Sequence, residues 1–432
     1  MTHLLYEIVF WFAALFFIPY HYVRSVRRKR PAAFAERFGL LSSGEIAAVE
    51  GNGPIWVHAV SVGETIAAKL LIRALRERFP GRRIVISNVT ETGRSVALNI
   101  AEADLCIYFP FDFGFAVRRV LTSVQPSVIL IVETEIWPNF LRTARRLGIP
   151  AVMVNGRISD RSFARYLCLR WFFRTILTDF SWFCMQTSED ARRIVSMGAP
   201  PDRVGITRNL KYDIPVAYLP TEKKEEIRRD FSLPADLPLF TAGSTHQGEE
   251  EEVVAAYKQL LDSGKECLLI LVPRHPERAG QVAELLRREK LPFTLRTGLN
   301  GRTSPFSPGD VLLVDTVGEL MQFYAVSDVV FVGGSLVPTG GHNILEPASL
   351  RVPVLFGPHM SNFRESAELI LSCGGGVQVY DGIELAAVLA RLLDDPAERQ
   401  VMGENGAGLL EKNSGSTGLH LEIVERFLKE RR

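Results

Sequence analysis

The chain has little of what would mark it as a disulfide scaffold or a nucleic-acid coat. Its five cysteines among 432 residues (Cys106, Cys168, Cys184, Cys267 and Cys373) are scattered, and no Cys-x-x-Cys occurs. That pattern indicates neither a disulfide framework nor a zinc site, and it fits a reducing compartment. Lys and Arg number 50 against 49 Asp and Glu, a formal net charge of +1. A nucleic-acid partner would call for a basic excess, so none is expected. Low-complexity segments are lacking. There is no Walker A lysine loop, and no Asp-x-Asp to hold a metal–diphosphate. No Ser-His-Asp order argues for a hydrolase. Metal, resident cofactor and phosphate-loop NTPase chemistry are therefore not expected.

What is present is apolar sequence in quantity. Hydrophobic residues make up 47%, enough for two cores in a chain of this length. One apolar run stands apart. Leu4 to Tyr20 carries a single charge, Glu7, over seventeen residues, the lower limit for spanning a bilayer. His21, Arg24, Arg27, Arg28, Lys29 and Arg30 follow at once. A cleaved signal would carry its positive charge before the apolar run. The order seen here predicts a membrane anchor over residues 1–23, with the body on the cytoplasmic face of the inner membrane and basic side chains against anionic lipid. A first helix of a soluble domain is the structural alternative.

From Pro54 onward, apolar runs alternate with helical spacing. Strands are expected at 55–60, 83–87, 105–109, 127–132, 150–154, 180–183 and 204–206. A second series is expected at 238–242, 267–272, 293–295, 311–314, 329–332 and 352–355. Continuous apolar strands separated by helices predict parallel sheets covered on both faces. The proline-containing stretch 214–224 reads as a linker. The expected organisation is one doubly wound α/β domain over 24–216 and a second over 217–415. A closing helix over 416–432 is expected to pack back on the first domain. Ligands of such sheets sit at the carboxyl ends of strands, so two domains facing each other would line a cleft.

The most informative segment is Gly333–Glu346 (GGSLVPTGGHNILE), after the strand 329–332. Glycines allow a tight turn and close approach to a ligand. A helix expected to start near Gly341 would present free N–H groups to a phosphate, and Glu346 could hold paired sugar hydroxyls. The G-x-G-x-x-G spacing of a dinucleotide site is absent here, so the segment reads as a nucleotide-sugar site. Four further clusters fall where strands end. Glu64, in Ser61–Thr65, suits a general base kept ionised by a helix N-terminus; a capping carboxylate is the structural alternative. Glu133 and Glu135 end a very apolar strand, and only one of them is expected to reach the site. Lys211, in Asn209–Asp213, could place a positive charge there. Pro273, Arg274 and His275 suggest phosphate or base recognition, and Gly318 and Glu319 open another helix.

Taken together, these segments make the chain resemble the bacterial 3-deoxy-D-manno-octulosonic acid (Kdo) transferases of lipid A and lipopolysaccharide biosynthesis. The matching stretches are 58–65 (HAVSVGET), 132–139 (VETEIWPN), 209–213 (NLKYD), 243–250 (GSTHQGEE), 271–278 (LVPRHPER), 315–320 (DTVGEL) and 333–346. The resemblance implies an α/β GT-B fold: two Rossmann-like doubly wound domains. It implies an inverting glycosyltransferase that moves Kdo from CMP-Kdo to the lipid A precursor, lipid IVA. By the same resemblance Glu64 is the base, Glu133 a carboxylate supporting the transition state, and Lys211 a charge-stabilising lysine. Pro273, Arg274, Val317, Gly318, Glu319, Asn343, Ile344, Leu345 and Glu346 match CMP-binding positions. Gly333, Gly334, Ser335, Gly341 and His342 complete the expected donor site. The alternative is another membrane-associated GT-B enzyme using a UDP-sugar and a lipid acceptor.

Overall fold

The computed structural model describes residues 2–27, 33–51, 53–301 and 306–429. The chain divides into two compact units, Met1–Asp213 with Gly415–Arg432, and Ile214–Ser414. In the first, β1 (Ile55–His58), β2 (Ile84–Asn88), β3 (Leu105–Tyr108), β4 (Val128–Val132), β5 (Ala151–Gly156), β6 (Trp182–Met185) and β7 (Val204–Ile206) form one sheet in the order β3-β2-β1-β4-β5-β6-β7. In the second, β8 (Leu239–Thr245), β9 (Leu268–Pro273), β10 (Phe293–Leu295), β11 (Val311–Leu313), β12 (Val329–Val332), β13 (Val354–Phe356) and β14 (Gly376–Gln378) run β10-β11-β9-β8-β12-β13-β14. Every strand pair in both sheets is parallel.

The apolar runs are continuous because both faces of each sheet are covered. Alternate residues of one strand enter different cores. Ile129 and Ile131 join Trp56, Val85 and Met153 on one side. Val128, Leu130 and Val132 join Ile55, Val57 and Ile86 on the other. Two Rossmann-like doubly wound sheets are thus built as the apolar pattern predicts. No strand was expected from the sequence at β14, which follows two glycines, begins with a third and carries one apolar residue, Val377; it is held by its ladder with β13.

The N-terminal apolar run lies in a helix, Thr2–Arg27, long and apolar enough over Thr2–Tyr20 to cross a membrane. One face of it is docked. Phe10, Ala14, Phe17 and Ile18 pack with Phe38, Phe111, Phe113 and Ala116. Trp11 lies 4.5 Å from the Phe113 ring. Polar contacts fix the same face. Glu7 accepts from Asn139 Nδ2 and from the Gly114 N–H at 3.4 Å, and His3 Nε2 sits 3.3 Å from Asp179. On the opposite face Leu4, Ile8, Phe12, Leu15 and Phe16 are exposed. Arg28, Lys29 and Arg30 of the basic run lie outside the described residues.

The last helix, Ser416–Lys429, belongs to the first unit. Val424 and Leu428 enter its core. Asp213 receives the Gly415 N–H at 2.6 Å and the Thr417 N–H. His420 is fully buried; its Nδ1–H donates to Ser416 O at 2.7 Å, so its Nε2 is free to accept the Asn155 N–H at 3.1 Å. Burial holds the imidazole near a pKa of about 4, and it stays neutral. His420→Ala should leave the Asn155 N–H unsatisfied and lower stability by about 1–3 kcal/mol, the cost of a buried unpaired donor. Denaturant unfolding checks this, and a loss below about 0.5 kcal/mol, the size of an ordinary surface change, would show that the bond is dispensable.

Candidate active site

Glu64 lies in the first turn of the helix Val62–Arg78, just beyond β1. The Val60 N–H donates to its carboxylate at 2.7 Å and the Ser61 hydroxyl at 2.9 Å. In return Ser61 Oγ accepts the Glu64 N–H at 3.4 Å. The carboxylate therefore does brace the helix start, and it also faces charge. Burial pushes its pKa above the ordinary carboxylate value; the two hydrogen bonds pull it back, Glu133 raises it further and Lys211 lowers it. The helix start is not its only influence: with only 9% of the residue exposed, desolvation is the largest effect on its acidity.

Glu133 follows β4 with φ of 59°, a left-handed conformation that costs a non-glycine residue about 1–2 kcal/mol. Its N–H still completes the ladder to Val154 O at 2.8 Å. The chain therefore turns at the first residue past the sheet. Lys211 Nζ sits 3.8 Å from Glu133 Oε1. Glu135, expected to be shut out if Glu133 enters, joins the same group. Burial first, then the charges of Glu64 and Glu133, push its carboxyl up to about 7. Both carboxylates reach the cluster because the strand ends before them.

Lys211 stands on a short 3₁₀ turn, Leu210–Tyr212, that polar side chains hold in place. Asn155 Oδ1 accepts the Leu210 N–H at 3.0 Å, and Asn209 Oδ1 accepts the Lys211 N–H at 3.0 Å. Asn209 in turn donates to Gln186 at 3.1 Å. The Asn155 bonded to this turn is the residue whose N–H meets His420, so the last helix braces the support of the lysine.

In the second unit the residues expected at the donor site cluster at adjacent strand ends. Pro273 closes β9 and is buried, whereas Arg274 and His275 are exposed beyond it. Glu250, 1% exposed, anchors their loop by accepting from both Arg278 terminal nitrogens, at 2.7 and 3.2 Å. Past β11, Val317 is 83% exposed and Gly318 has φ of 92°. Glu319 is held by Arg296 at 2.8 Å.

The glycine-rich segment differs from its sequence reading. The helix starts at Leu345, not near Gly341, and it runs for five residues to Ser349. Gly340 and Gly341, at φ 103° and 77°, are left-handed and cannot belong to it. The N–H groups of Gly334, Ser335 and Leu336 do form an anion cradle, but Glu249 fills it, at 2.6, 2.8 and 2.8 Å. That carboxylate is fully buried. A Cβ at Gly333 would meet Ser244 O at 2.6 Å and Glu249 Oε2 at 2.9 Å, so glycine is required for the approach of the protein's own chain. The Gly341 N–H is bonded to Gly334 O at 2.7 Å. Ile344 and Leu345 point into the core. Asn343 donates to Glu346 Oε1 at 3.2 Å, and His342 meets His246. Glu249 and His246 were not singled out as site residues from the sequence, although both lie inside a matching stretch.

Comparison with known proteins agrees with this geometry. A family model described as 3-deoxy-D-manno-octulosonic-acid transferase (kdotransferase) matches residues 32–214. The 3-deoxy-D-manno-octulosonic acid transferase of Haemophilus influenzae is 34% identical over 397 residues, 91% of each chain. That of Bordetella pertussis is 33% identical over 384 residues, 87% of each. Among solved structures, a glycosyltransferase from Rickettsia africae superposes with TM-score 0.51 at 14% identity, over 88% of this chain and all of its own. A UDP-GlcNAc 2-epimerase from Neisseria meningitidis gives TM-score 0.52 at 13% identity, over 86% of this chain and all of its own. At that identity these structures establish the shared fold alone. With relatives at this identity over nearly their whole length, the chain belongs to the 3-deoxy-D-manno-octulosonic acid transferase family.

Proposed function

We propose that this chain is an inverting GT-B glycosyltransferase that moves Kdo from CMP-Kdo to lipid IVA in lipopolysaccharide biosynthesis. The observation that carries the reading is the group Glu64, Glu133, Glu135 and Lys211, gathered at strand ends in the first unit of a member of this family. Glu64 accepts the proton of the acceptor hydroxyl. The freed oxygen attacks the anomeric carbon of Kdo from one side, and the bond from that carbon to the CMP phosphate oxygen breaks on the other. Lys211 and Glu133 hold the charge around the base. A protonated Glu135 lets three carboxylates lie close without three full negative charges. The second unit holds the donor: Arg274 contacts the CMP phosphate, and residues 317–319 with Asn343 and Glu346 contact the nucleotide. The leaving group is a monophosphate, so the proposed chemistry uses no divalent metal.

The acceptor is a lipid, and we place the exposed face of the first helix in the surface of the inner membrane. The helix is pinned through His3, Glu7 and its aromatic face, so it lies along the bilayer surface and does not cross it. The turn between the helices Asp160–Cys168 and Arg170–Leu177 extends this face, with Leu167, Leu169 and Trp171 exposed beside Arg165, Arg170 and Arg174. Apolar side chains rimmed by arginines suit an anionic bilayer.

Glu64→Gln keeps the shape of the carboxylate and removes its basicity. It should lower kcat by about 10²–10⁴-fold, the typical share of a general base, with CMP affinity unchanged. Transfer at a near wild-type rate would leave Glu64 as a helix brace only. The base must be ionised, and its pKa is raised. Activity should therefore fall with decreasing pH through a limb above the ordinary glutamate value of about 4.3. Lys211→Met removes the positive charge that favours the ionised form, so it should move that limb to higher pH; a shift to lower pH would contradict the assignment.

Phe12→Ser with Phe16→Ser changes only exposed positions of the first helix. The double variant should lose sedimentation with anionic phospholipid vesicles and keep its CMP affinity. Undiminished sedimentation would place the membrane contact elsewhere.

A further inference from the structure

The second sheet reverses its strand order at β8, with β9 on one side and β12 on the other. Ligands of doubly wound sheets bind outside the strand ends at such a point. β8 and its neighbour β12 each bring a histidine there. His246 follows β8 directly, and His342 lies in the loop after β12. Their Nε2 atoms are 2.8 Å apart, and the rings stack at 5.1 Å with 7° between planes. A contact that short holds one proton: one Nε2–H donates and the other Nε2 accepts. His275 stands edge-on to His246 at 6.0 Å.

The charges around the pair are unbalanced. Arg274, His275 and Arg278 from beyond β9 surround it, and Glu249 opposes them. Glu249 is already committed to four backbone N–H groups, those of His246, Gly334, Ser335 and Leu336. Burial first, then the neighbouring histidine and arginine, pushes His342 down to about 4. His246 is lowered too, mainly by burial. At neutral pH the pair is uncharged, faces positive neighbours, and has no anion left to it.

We propose that His246 and His342 together bind the carboxylate of the donor's sugar, taking up one proton as they do so. This rests on the donor reading given above. Kdo carries a carboxylate on its anomeric carbon, next to the phosphate that Arg274 receives. The proton comes from solvent and binds the accepting Nε2. Both rings then carry an Nε2–H, their mutual hydrogen bond opens, and two donors face two carboxylate oxygens. One imidazolium makes the contact charge-assisted. No other bond forms or breaks. CMP alone lacks the carboxylate, so the pair discriminates the sugar and not the nucleotide.

The linkage has a definite sign. Binding that takes up a proton weakens as pH rises, by up to about tenfold per unit, between the pKa of the free pair and that of the bound pair. The test uses CMP-Kdo generated in the assay from CTP and Kdo, with CMP as inhibitor. For the wild type, KM for the donor should rise between about pH 6 and pH 8, the histidine range, while Ki for CMP does not follow it. His342→Gln and, separately, His246→Gln should raise that KM by about 10–100-fold, the loss of a hydrogen bond to a charged group. Both variants should flatten its pH dependence and keep Ki for CMP within about twofold, the scatter of a contact not made. A Ki that rises with KM in both variants would make the pair part of the nucleotide site or of the fold. A wild-type KM independent of pH would remove the proton uptake. Wild-type protein that transfers no Kdo at all would instead sink the donor reading, leaving the two failures distinguishable.

Discussion

A parallel sheet covered on both faces leaves one place for charge, the carboxyl ends of its strands. The central strands of both sheets are fully buried, and exposure is confined to strands toward the edges. Polar groups that must meet a ligand collect where the chain leaves the sheet. This constraint accounts for Glu64 beyond β1, Glu133 and Glu135 beyond β4, and Arg274, His246 and His342 beyond β9, β8 and β12. It also accounts for the altered acidities of Glu64, Glu135, His246 and His342. Groups at the sheet rim are partly desolvated and lie within reach of one another, so burial and neighbouring charge act on them together.

The two units solve the rim differently. In the first, the carboxylates outnumber the cations near them. One lysine, 3.8 Å from Glu133, and the hydrogen bonds at Glu64 offset part of the repulsion, and the rise of Glu135 to about 7 relieves another part by favouring its protonated form. That leaves Glu64 with a raised pKa, which suits a base working near neutrality. In the second, two of the protein's own carboxylates are buried and satisfied. Glu249 fills the backbone cradle, and Glu250 clamps Arg278. Arg274 and His275 stay exposed beyond β9.

Rigidity at Lys211 comes from far along the chain. The turn carrying Lys211 is fixed by Asn155 and Asn209, and Asn155 is fixed by His420 of the last helix. A neutral, fully buried imidazole serves here because its fixed tautomer offers one donor and one acceptor in a site that could not hold a charge. The C-terminal helix thus supports the turn that carries Lys211 as well as the core of the first unit.

Much of this was legible in the sequence. Apolar runs separated by helical spacing specify parallel sheets, because only strands buried on both faces lack polar alternation. The stretches 58–65, 132–139 and 209–213 marked Glu64, Glu133 and Lys211 because charged residues stood directly after such runs. Local pattern failed where a long-range partner decides. Nothing near Gly333 shows that Glu249, far back in the chain, occupies its N–H groups, and glycines that could serve a ligand serve a carboxylate of the protein. Nothing near Glu135 shows that it shares a pocket with Glu64, and the apolar first helix carries no sign that Glu7 meets Asn139. By itself the sequence determined the strand order of burial, the family and the residues able to do chemistry, since these follow from side-chain type and spacing. Tertiary structure alone decided which of those residues keep their charge, which backbone donors remain open and which apolar face stays uncovered, because each depends on atoms brought together from distant parts of the chain.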